Sequence, residues 1–287
     1  MILPKFTVDD IIITALKEDI NYIDAATDLT LDEQNIQQGV FLAKASGVLC
    51  GIDAALRVFE LLSDKFEYSV YKKDGDRIEK GNIIAEIKGP VTFLLKGERT
   101  ALNILQHMSG IATETAKCVD LVKGTKASIA DTRKTLPGLR ALQKYAVTCG
   151  GGKNHRYNLS DCAMLKDNHI DACGGIEKAV SVLREKIGHT VKIEVETRNL
   201  DEVRQALDEV EQALRAKADI IMLDNMDNDT MKKAVELIDG RALSEASGGI
   251  THDTIAGVAK TGVDIISVGA LTHSVKAFDI SMKIKKL

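Results

Sequence analysis

Outside the helical segment Leu139–Thr148, six basic side chains fall between residues 131 and 166: Arg133, Lys134, Lys153, His155, Arg156 and Lys166. They do not form one run. Arg133 and Lys134 follow an apolar segment, Lys153, His155 and Arg156 follow the break Gly150-Gly151-Gly152, and Lys166 ends a second apolar segment. Like charges brought together from separate elements repel unless an anion neutralises them, and the planar guanidinium fork suits carboxylates and phosphates. The pattern predicts an anion site.

Acidic and glycine-rich segments add to it. In Lys192-Ile193-Glu194-Val195-Glu196, strand alternation puts Glu194 and Glu196 on one face. Asp224 ends a later apolar run. Carboxylates beside a cationic wall could hold Mg²⁺ that carries a substrate phosphate, directly or through water. They could also stabilise a developing positive charge, or pair with Lys166 or Arg133 while the site is empty. Ser247-Gly248-Gly249 and Ser267-Val268-Gly269 supply backbone amides of the kind that cradle phosphate. A phosphorylated sugar bearing pyrophosphate, with a second anionic substrate, would use all three features. There is no GxxxxGKS/T, no GxGxxG, and no acidic pair leading into Thr-Gly as in the commoner phosphoribosyltransferases.

These groups need a frame. After about residue 113, short apolar runs alternate with helical segments. The predicted strands are Ala127–Asp131, Cys162–Lys166, Val191–Glu196, Asp219–Asp224, Ala242–Ser247 and Asp264–Gly269. The predicted helices are Leu139–Thr148, Ile176–Lys186, Leu200–Arg215, Thr230–Ile238 and Asp253–Thr261. Such alternation implies parallel strands with right-handed crossovers, and an α/β barrel, complete or open. Each strand finishes in charged or glycine residues, and barrel sites lie at the carboxyl ends of the strands.

The first 110 or so residues are mixed. Phe6–Lys17 and Ala54–Ser63 read as helices, with Asp9 and Asp10 in the first turn of the former, and Val40–Leu49 reads as a strand. Glu67–Val91 reads as short strands and turns; Asp74–Asn82 is similar to the turn of biotinyl and lipoyl carrier barrels, without a lysine at a hairpin tip. Glu98–Thr115 reads as a helix, with Gly110 a candidate break.

The chain has 287 residues, 45% of them hydrophobic, enough for one large domain or two moderate ones. A net charge of -4 speaks against general nucleic-acid binding. No run of apolar residues is long enough for a membrane span, and no signal-like start is visible. Five widely spaced cysteines without CxxC suggest reduced thiols and a cytoplasmic location. Cys149, Cys162 and Cys173 lie near His155 and His169 in sequence, but no pair has zinc-type spacing.

The motifs, taken in order, resemble the quinolinate phosphoribosyltransferases. They include Lys96-Gly97-Glu98-Arg99-Thr100-Ala101, Asp131-Thr132-Arg133-Lys134-Thr135, Gly151-Gly152-Lys153-Asn154-His155-Arg156, Leu165-Lys166-Asp167-Asn168-His169, Glu194-Val195-Glu196, Met222-Leu223-Asp224-Asn225, Glu245-Ala246-Ser247-Gly248-Gly249 and Ser267-Val268-Gly269-Ala270. The resemblance spans essentially the whole chain. It implies an open α/β barrel over 113–274 and an amino-terminal α/β sandwich over 1–112, to which a carboxyl-terminal helix (275–287) returns. It implies transfer of phosphoribosyl to quinolinate with Mg²⁺, giving nicotinate mononucleotide, pyrophosphate and carbon dioxide for NAD synthesis, in a homodimer that lends Arg99 across the interface. On this resemblance Arg99, Arg133, His155, Arg156 and Lys166 would hold quinolinate, and Lys134 and Lys166 would serve the phosphates. Glu196 and Asp224 would face ribose and metal, and Ser247, Gly248, Gly249 and Gly269 the 5-phosphate. Lys134, Lys166, Glu196 and Asp224 would be the catalytic set. Leu136 departs from the pattern, where a second threonine is expected after Thr135.

Three other readings share features. A nicotinate phosphoribosyltransferase would need fewer cations around the base. The related group associated with molybdate transport would lack the Lys166-Asp167-Asn168-His169 run. A non-catalytic carrier or metabolite sensor would bind without releasing pyrophosphate.

Overall fold

A computed structural model describes residues 3–207 and 218–286. The chain begins with α1 (Lys5–Asp19), α2 (Ala25–Thr30), β1 (Ile36–Ala43), β2 (Gly47–Val48), α3 (Ile52–Leu62), β3 (Glu67–Val70), β4 (Arg77–Ile78), β5 (Ile83–Pro90) and α4 (Val91–Leu121). It continues through β6 (Ser128–Ala130), α5 (Arg140–Cys149), β7 (Ala163–Leu165), α6 (Asp167–Cys173), α7 (Ile176–Lys186), β8 (Ile193–Thr197), α8 (Leu200–Leu207) and β9 (Ile220–Asp224). It ends with α9 (Asn228–Ile238), β10 (Leu243–Ser247), α10 (His252–Ala259), β11 (Ile265–Ser267), α11 (Ala270–His273) and β12 (Ile280–Lys286). The part of the helix expected over Leu200–Arg215 that follows residue 207 lies outside the described residues.

Two compact units result. The first comprises Met1–Ala116, Lys134–Gly151 and Ala270–Leu287; the second comprises Lys117–Arg133 and Gly152–Gly269.

In the first unit an antiparallel sheet runs β12-β1-β5-β3. The α3 helix buries Ile52, Ala55, Leu56, Val58 and Phe59 along one side. Phe59 meets Phe41 of β1 edge to face, with ring centroids 6.3 Å apart, and Phe66 at 5.6 Å. Full burial of one such side chain stabilises by about 1.5–3 kcal/mol. The segment with a carrier-like turn has a capping function. Asp74 Oδ1 accepts from the Gly51 and Ile52 amides (2.8 and 3.0 Å), satisfying two orphan donors at the start of α3.

Three expectations are corrected here. The carboxyl-terminal segment is the strand β12, not a helix, and pairs antiparallel with β1 from Ala43↔Ile280 to Gln37↔Lys286. Ile280 and Met282 are buried while Lys283 and Lys285 are not, a period of two that lysine-rich composition masked. Asp9 and Asp10 do not lie in the first turn of α1, which starts at Lys5; Asp9 instead pairs with Arg57 at 2.8 Å. Gly110 does not break α4. A Cβ there would lie 2.4 Å from the Lys276 carbonyl oxygen, so glycine permits the close backbone approach.

In the second unit six parallel strands run β6-β11-β10-β9-β8-β7. Among the described residues β6 and β7 do not pair with each other, so the expected α/β barrel is open between them. Fully buried Ile193, Val195, Ile221, Leu223, Ala246 and Ile266 fill the strands. Because all six strands are parallel, their carboxyl ends gather on one edge.

Candidate active site at the carboxyl edge of the parallel sheet

Asp131, immediately after β6, is wholly buried. Its Oδ2 accepts from Asn154 Nδ2 (2.6 Å) and its Oδ1 from the His155 amide (2.8 Å). Backbone bonds complete the joint: Lys153 donates to the Ile129 carbonyl (2.8 Å) and Asp131 to that of Lys153 (3.2 Å). The segment after the triple glycine is thereby laid along β6. Sequence reasoning gave Asp131 and Asn154 no role. The only signal was an acid closing an apolar strand just ahead of Arg133.

His155 is held between two acids. Its Nε2 lies 3.3 Å from both Glu194 on β8 and Glu245 on β10, and both carboxyls are essentially buried. Burial would lower the pKa of the ring, but hydrogen bonds to Glu194 and Glu245 outweigh it and raise the value to about 10. One contact pulls the other way. The Arg156 amide lies 2.6 Å from Nδ1, where it needs a lone pair. Two full negative charges outweigh one amide dipole, so we assign the imidazolium. Glu194 is itself shifted upward, by burial and then by the charge of Glu245, against the lowering effect of His155. The Ser267 hydroxyl donates to Glu245 Oε1 at 2.5 Å. Glu245 was legible only as a strand ending, not as a partner of His155.

Glu196 is two residues beyond Glu194 on β8, as strand alternation requires. Leu165↔Val195 is the last β7–β8 pair, so Lys166 and Glu196 leave the strands side by side. Lys166 Nζ donates to Glu196 Oε2 at 2.7 Å, realising the ion pair considered for the empty enzyme. The Lys166 amide donates to His169 Nδ1 (3.1 Å), tying the end of β7 into α6. Arg156 donates from Nη1 to the Cys162 carbonyl (2.8 Å) and from Nη2 to Met164 Sδ (3.6 Å), which directs its guanidinium toward β7.

Asp224 closes β9 opposite Ser247, the last residue of β10. Asn225 adopts a left-handed conformation (φ 54°) and donates from Nδ2 to Asp224 Oδ2 at 2.7 Å. Gly248 has φ 94°, and a Cβ on it would meet Asn225 Oδ1 at 2.3 Å and Asn225 N at 2.9 Å. Only glycine fits there. Gly249, also left-handed at φ 59°, has no atom within 4 Å of where a Cβ would stand. Gly269 follows β11, whose neighbour Val268 donates to the Ala130 carbonyl (2.9 Å).

The second unit therefore contains Arg133, His155, Arg156, Lys166, Glu196, Asp224, Ser247, Gly248, Gly249 and Gly269. Arg99 and Lys134 belong to the first unit: Arg99 is exposed on α4, and the Lys134 carbonyl accepts from Thr272 Oγ1 at 2.8 Å. At the divergent position Leu136 the backbone makes the contact, its amide donating to Gln143 Oε1 (2.9 Å).

Chemically, this edge presents cations and an acidic pair beside a glycine turn. Glu196 and Asp224 project from neighbouring strands, and their hard oxygen donors suit a magnesium-class cation.

The sequence matches "Quinolinate phosphoribosyl transferase, N-terminal domain" over residues 24–109 and the corresponding "C-terminal domain" over residues 111–283. It is 44% identical over 267 residues to a probable nicotinate-nucleotide pyrophosphorylase [carboxylating] of Bacillus subtilis, covering 93% of this chain and 90% of that protein. It is 41% identical to a mitochondrial quinolinate phosphoribosyltransferase [decarboxylating] of Nicotiana tabacum, covering 98% of this chain and 83% of the relative. The solved structure of NadC from Streptococcus pyogenes superposes with a TM-score of 0.94 at 41% identity, covering 100% of this chain and 99% of that one.

Proposed function

The chain belongs to the quinolinate phosphoribosyl transferase family, and from that premise we propose that it converts quinolinate and 5-phosphoribosyl 1-pyrophosphate to nicotinate mononucleotide, pyrophosphate and carbon dioxide, a step of NAD biosynthesis. The observation that carries this reading is the density of cations at one edge of the sheet. Even with the charge of His155 balanced by Glu194 and Glu245, Arg133, Arg156 and Lys166 offer more cationic donors than a monocarboxylate base requires, and they suit a dicarboxylate.

In this mechanism Arg133, His155, Arg156 and Lys166 hold the two quinolinate carboxylates and aim the ring nitrogen at the anomeric carbon. Ser247, Gly248, Gly249 and Gly269 receive the 5-phosphate. As the bond to pyrophosphate breaks, the ribose develops oxocarbenium character, which Glu196 and Asp224 stabilise electrostatically. Lys134 and Lys166 serve the departing phosphates. Glu196 and Asp224 would also hold Mg²⁺, directly or through water, and the ion when bound supplies charge neutralisation to pyrophosphate. The nitrogen attacks through its lone pair, so no general base is needed. Once quaternised, the ring accepts the electron pair of the adjacent carboxylate's C–C bond; carbon dioxide leaves and the ring carbon takes up a proton. Lys166 gives one of its three donors to Glu196, which leaves the others for an anion.

The same reading includes a homodimer in which Arg99, exposed on α4, is lent to the neighbouring subunit. It also places the enzyme in the cytoplasm, in keeping with five free cysteines. No helix among the described residues is long and apolar enough to cross a membrane.

The deciding assay incubates the protein with quinolinate, phosphoribosyl pyrophosphate and Mg²⁺ and measures carbon dioxide. Stoichiometric release is expected. Acceptance of nicotinate alone would refute the decarboxylating assignment, and binding without pyrophosphate release would point to a sensor.

A further inference from the structure

Away from the site just described, three donor atoms converge within the first unit. Cys50 is wholly buried between β2 and α3, Asp74 precedes β4, and Cys149 ends α5, partly exposed. The two sulfurs and an Asp74 carboxylate oxygen all lie within 4.8 Å of one another. Cys162 and Cys173, which sequence proximity grouped with Cys149, are not part of this cluster.

The donors are fixed from outside. The Cys50 amide donates to Ser109 Oγ (3.0 Å), and that hydroxyl lies 3.1 Å from the Cys50 carbonyl it donates to. Asp74 Oδ1 is held by the Gly51 and Ile52 amides, and Oδ2 accepts from Tyr145 Oη at 2.9 Å. Oriented second partners of this kind are what metal ligands require. A tetrahedral ion with metal–sulfur bonds of about 2.3 Å separates its sulfurs by roughly 3.8 Å. Donors already within 4.8 Å would have to contract by no more than about 1 Å to reach that spacing.

We propose that Cys50, Asp74 and Cys149 form a binding site for one borderline-soft divalent cation, Zn²⁺ by its chemistry, with water in the fourth position on the exposed side of Cys149. Sulfur donors select this class over Mg²⁺. Binding releases the two thiol protons to solvent. The ion would join the start of α3, the turn at Asp74 and the end of α5. Just beyond α5 the chain passes through Gly150-Gly151-Gly152 toward Lys153, His155 and Arg156, so the site would anchor the origin of the segment that carries these cations. The inference does not depend on the proposed reaction, since its readout is spectroscopic.

The test uses the full chain, reduced and stripped of metal, titrated with Co²⁺ and then Zn²⁺. One equivalent of Co²⁺ per chain should give thiolate-to-metal charge-transfer absorption, displaced by Zn²⁺ and not by Mg²⁺. Cys149→Ser should abolish the band and Cys173→Ser should keep it. Tyr145→Phe, which leaves the three ligands in place, should weaken affinity by roughly ten- to a hundredfold. Circular dichroism checks that each variant is folded. The proposal is overturned if the reduced protein gives no band at one equivalent, or if the band survives Cys149→Ser. It is equally overturned if the pair only forms a disulfide under peroxide and takes up no metal when reduced.

Discussion

Replacing Asp131 tests whether the buried carboxylate after β6 organises the cationic segment. Its two oxygens accept from Asn154 Nδ2 and the His155 amide at 2.6 and 2.8 Å, in a fully buried position. A hydrogen bond to a charged group contributes about 1.5–3 kcal/mol. Losing both in Asp131→Ala therefore costs roughly 3–6 kcal/mol, much of the ~5–15 kcal/mol that holds a typical domain folded. Asp131→Asn is gentler. One amide oxygen still accepts from the His155 amide, and Asn154 can turn its own amide to meet the new Nδ2, so only the charge assistance is lost, about 1–2 kcal/mol. Asn154→Asp in that background restores a charged pair with donor and acceptor reversed. The assay is the urea midpoint of each variant alongside KM for quinolinate. The double variant should recover most of the loss in both, a positive coupling in the mutant cycle. If Asp131→Ala costs less than about 1 kcal/mol and leaves KM unchanged, the carboxylate does not organise this segment.

Four further outcomes are expected. Arg133→Ala should lose quinolinate binding while phosphoribosyl pyrophosphate still binds, measured by calorimetry; near-normal turnover would remove Arg133 from the site. Gly248→Ala places a Cβ 2.3 Å from Asn225 Oδ1 at φ 94°, so KM for phosphoribosyl pyrophosphate should rise at least tenfold by steady-state kinetics, or ~1.4 kcal/mol; an unchanged KM would show that the turn relaxes freely. His155 has its folded pKa raised from 6.5 to about 10, so its stabilisation is fully present below about pH 6.5 and lost as pH rises through about 10. The stability difference between wild type and His155→Asn should shrink over that window, and the ring's NMR titration in Glu245→Gln should move to lower pH. Glu196→Gln removes the ionic partner of Lys166 and half the acidic pair, so kcat should fall by more than an order of magnitude and the Mg²⁺ requirement should rise, read from a magnesium titration of initial rate.

How much was legible depended on whether a residue's role is local. The parallel strands were visible where, as in β9 (Ile220-Ile221-Met222-Leu223-Asp224), a short apolar run ends in a polar group within five residues. The pairing of Lys166 with Glu196 was only one of the alternatives left open, beside Arg133; the β7–β8 register, which brings the ends of the two strands together, selects it. The carboxyl-terminal strand was not legible. Ile280-Ser281-Met282-Lys283-Ile284-Lys285 alternates strictly, but its lysine-rich composition also suits a helix, and only pairing to β1 across more than 230 residues decides between them. Tertiary context overrides propensity in such segments.

The buried acids illustrate the harder case. Glu245 lies in Leu243-Ser244-Glu245-Ala246-Ser247 with no local feature that separates it from a solvated strand end. Its role follows from the sheet order, which puts β9 between β10 and β8, so that Glu245 and Glu194 reach the same ring across an intervening strand. A carboxylate buried this far costs several kcal/mol unless it is paired. Its companions are then predictable in kind, a cation and a hydroxyl, but not in identity. His155 and Ser267 fill those roles from elements that only the completed sheet brings together. Where the cation binds substrate, as the proposed mechanism has it, the same two acids that make its burial tolerable also set its charge. Substituting either acid should therefore alter stability and quinolinate affinity together, and a change in one alone would separate the two roles.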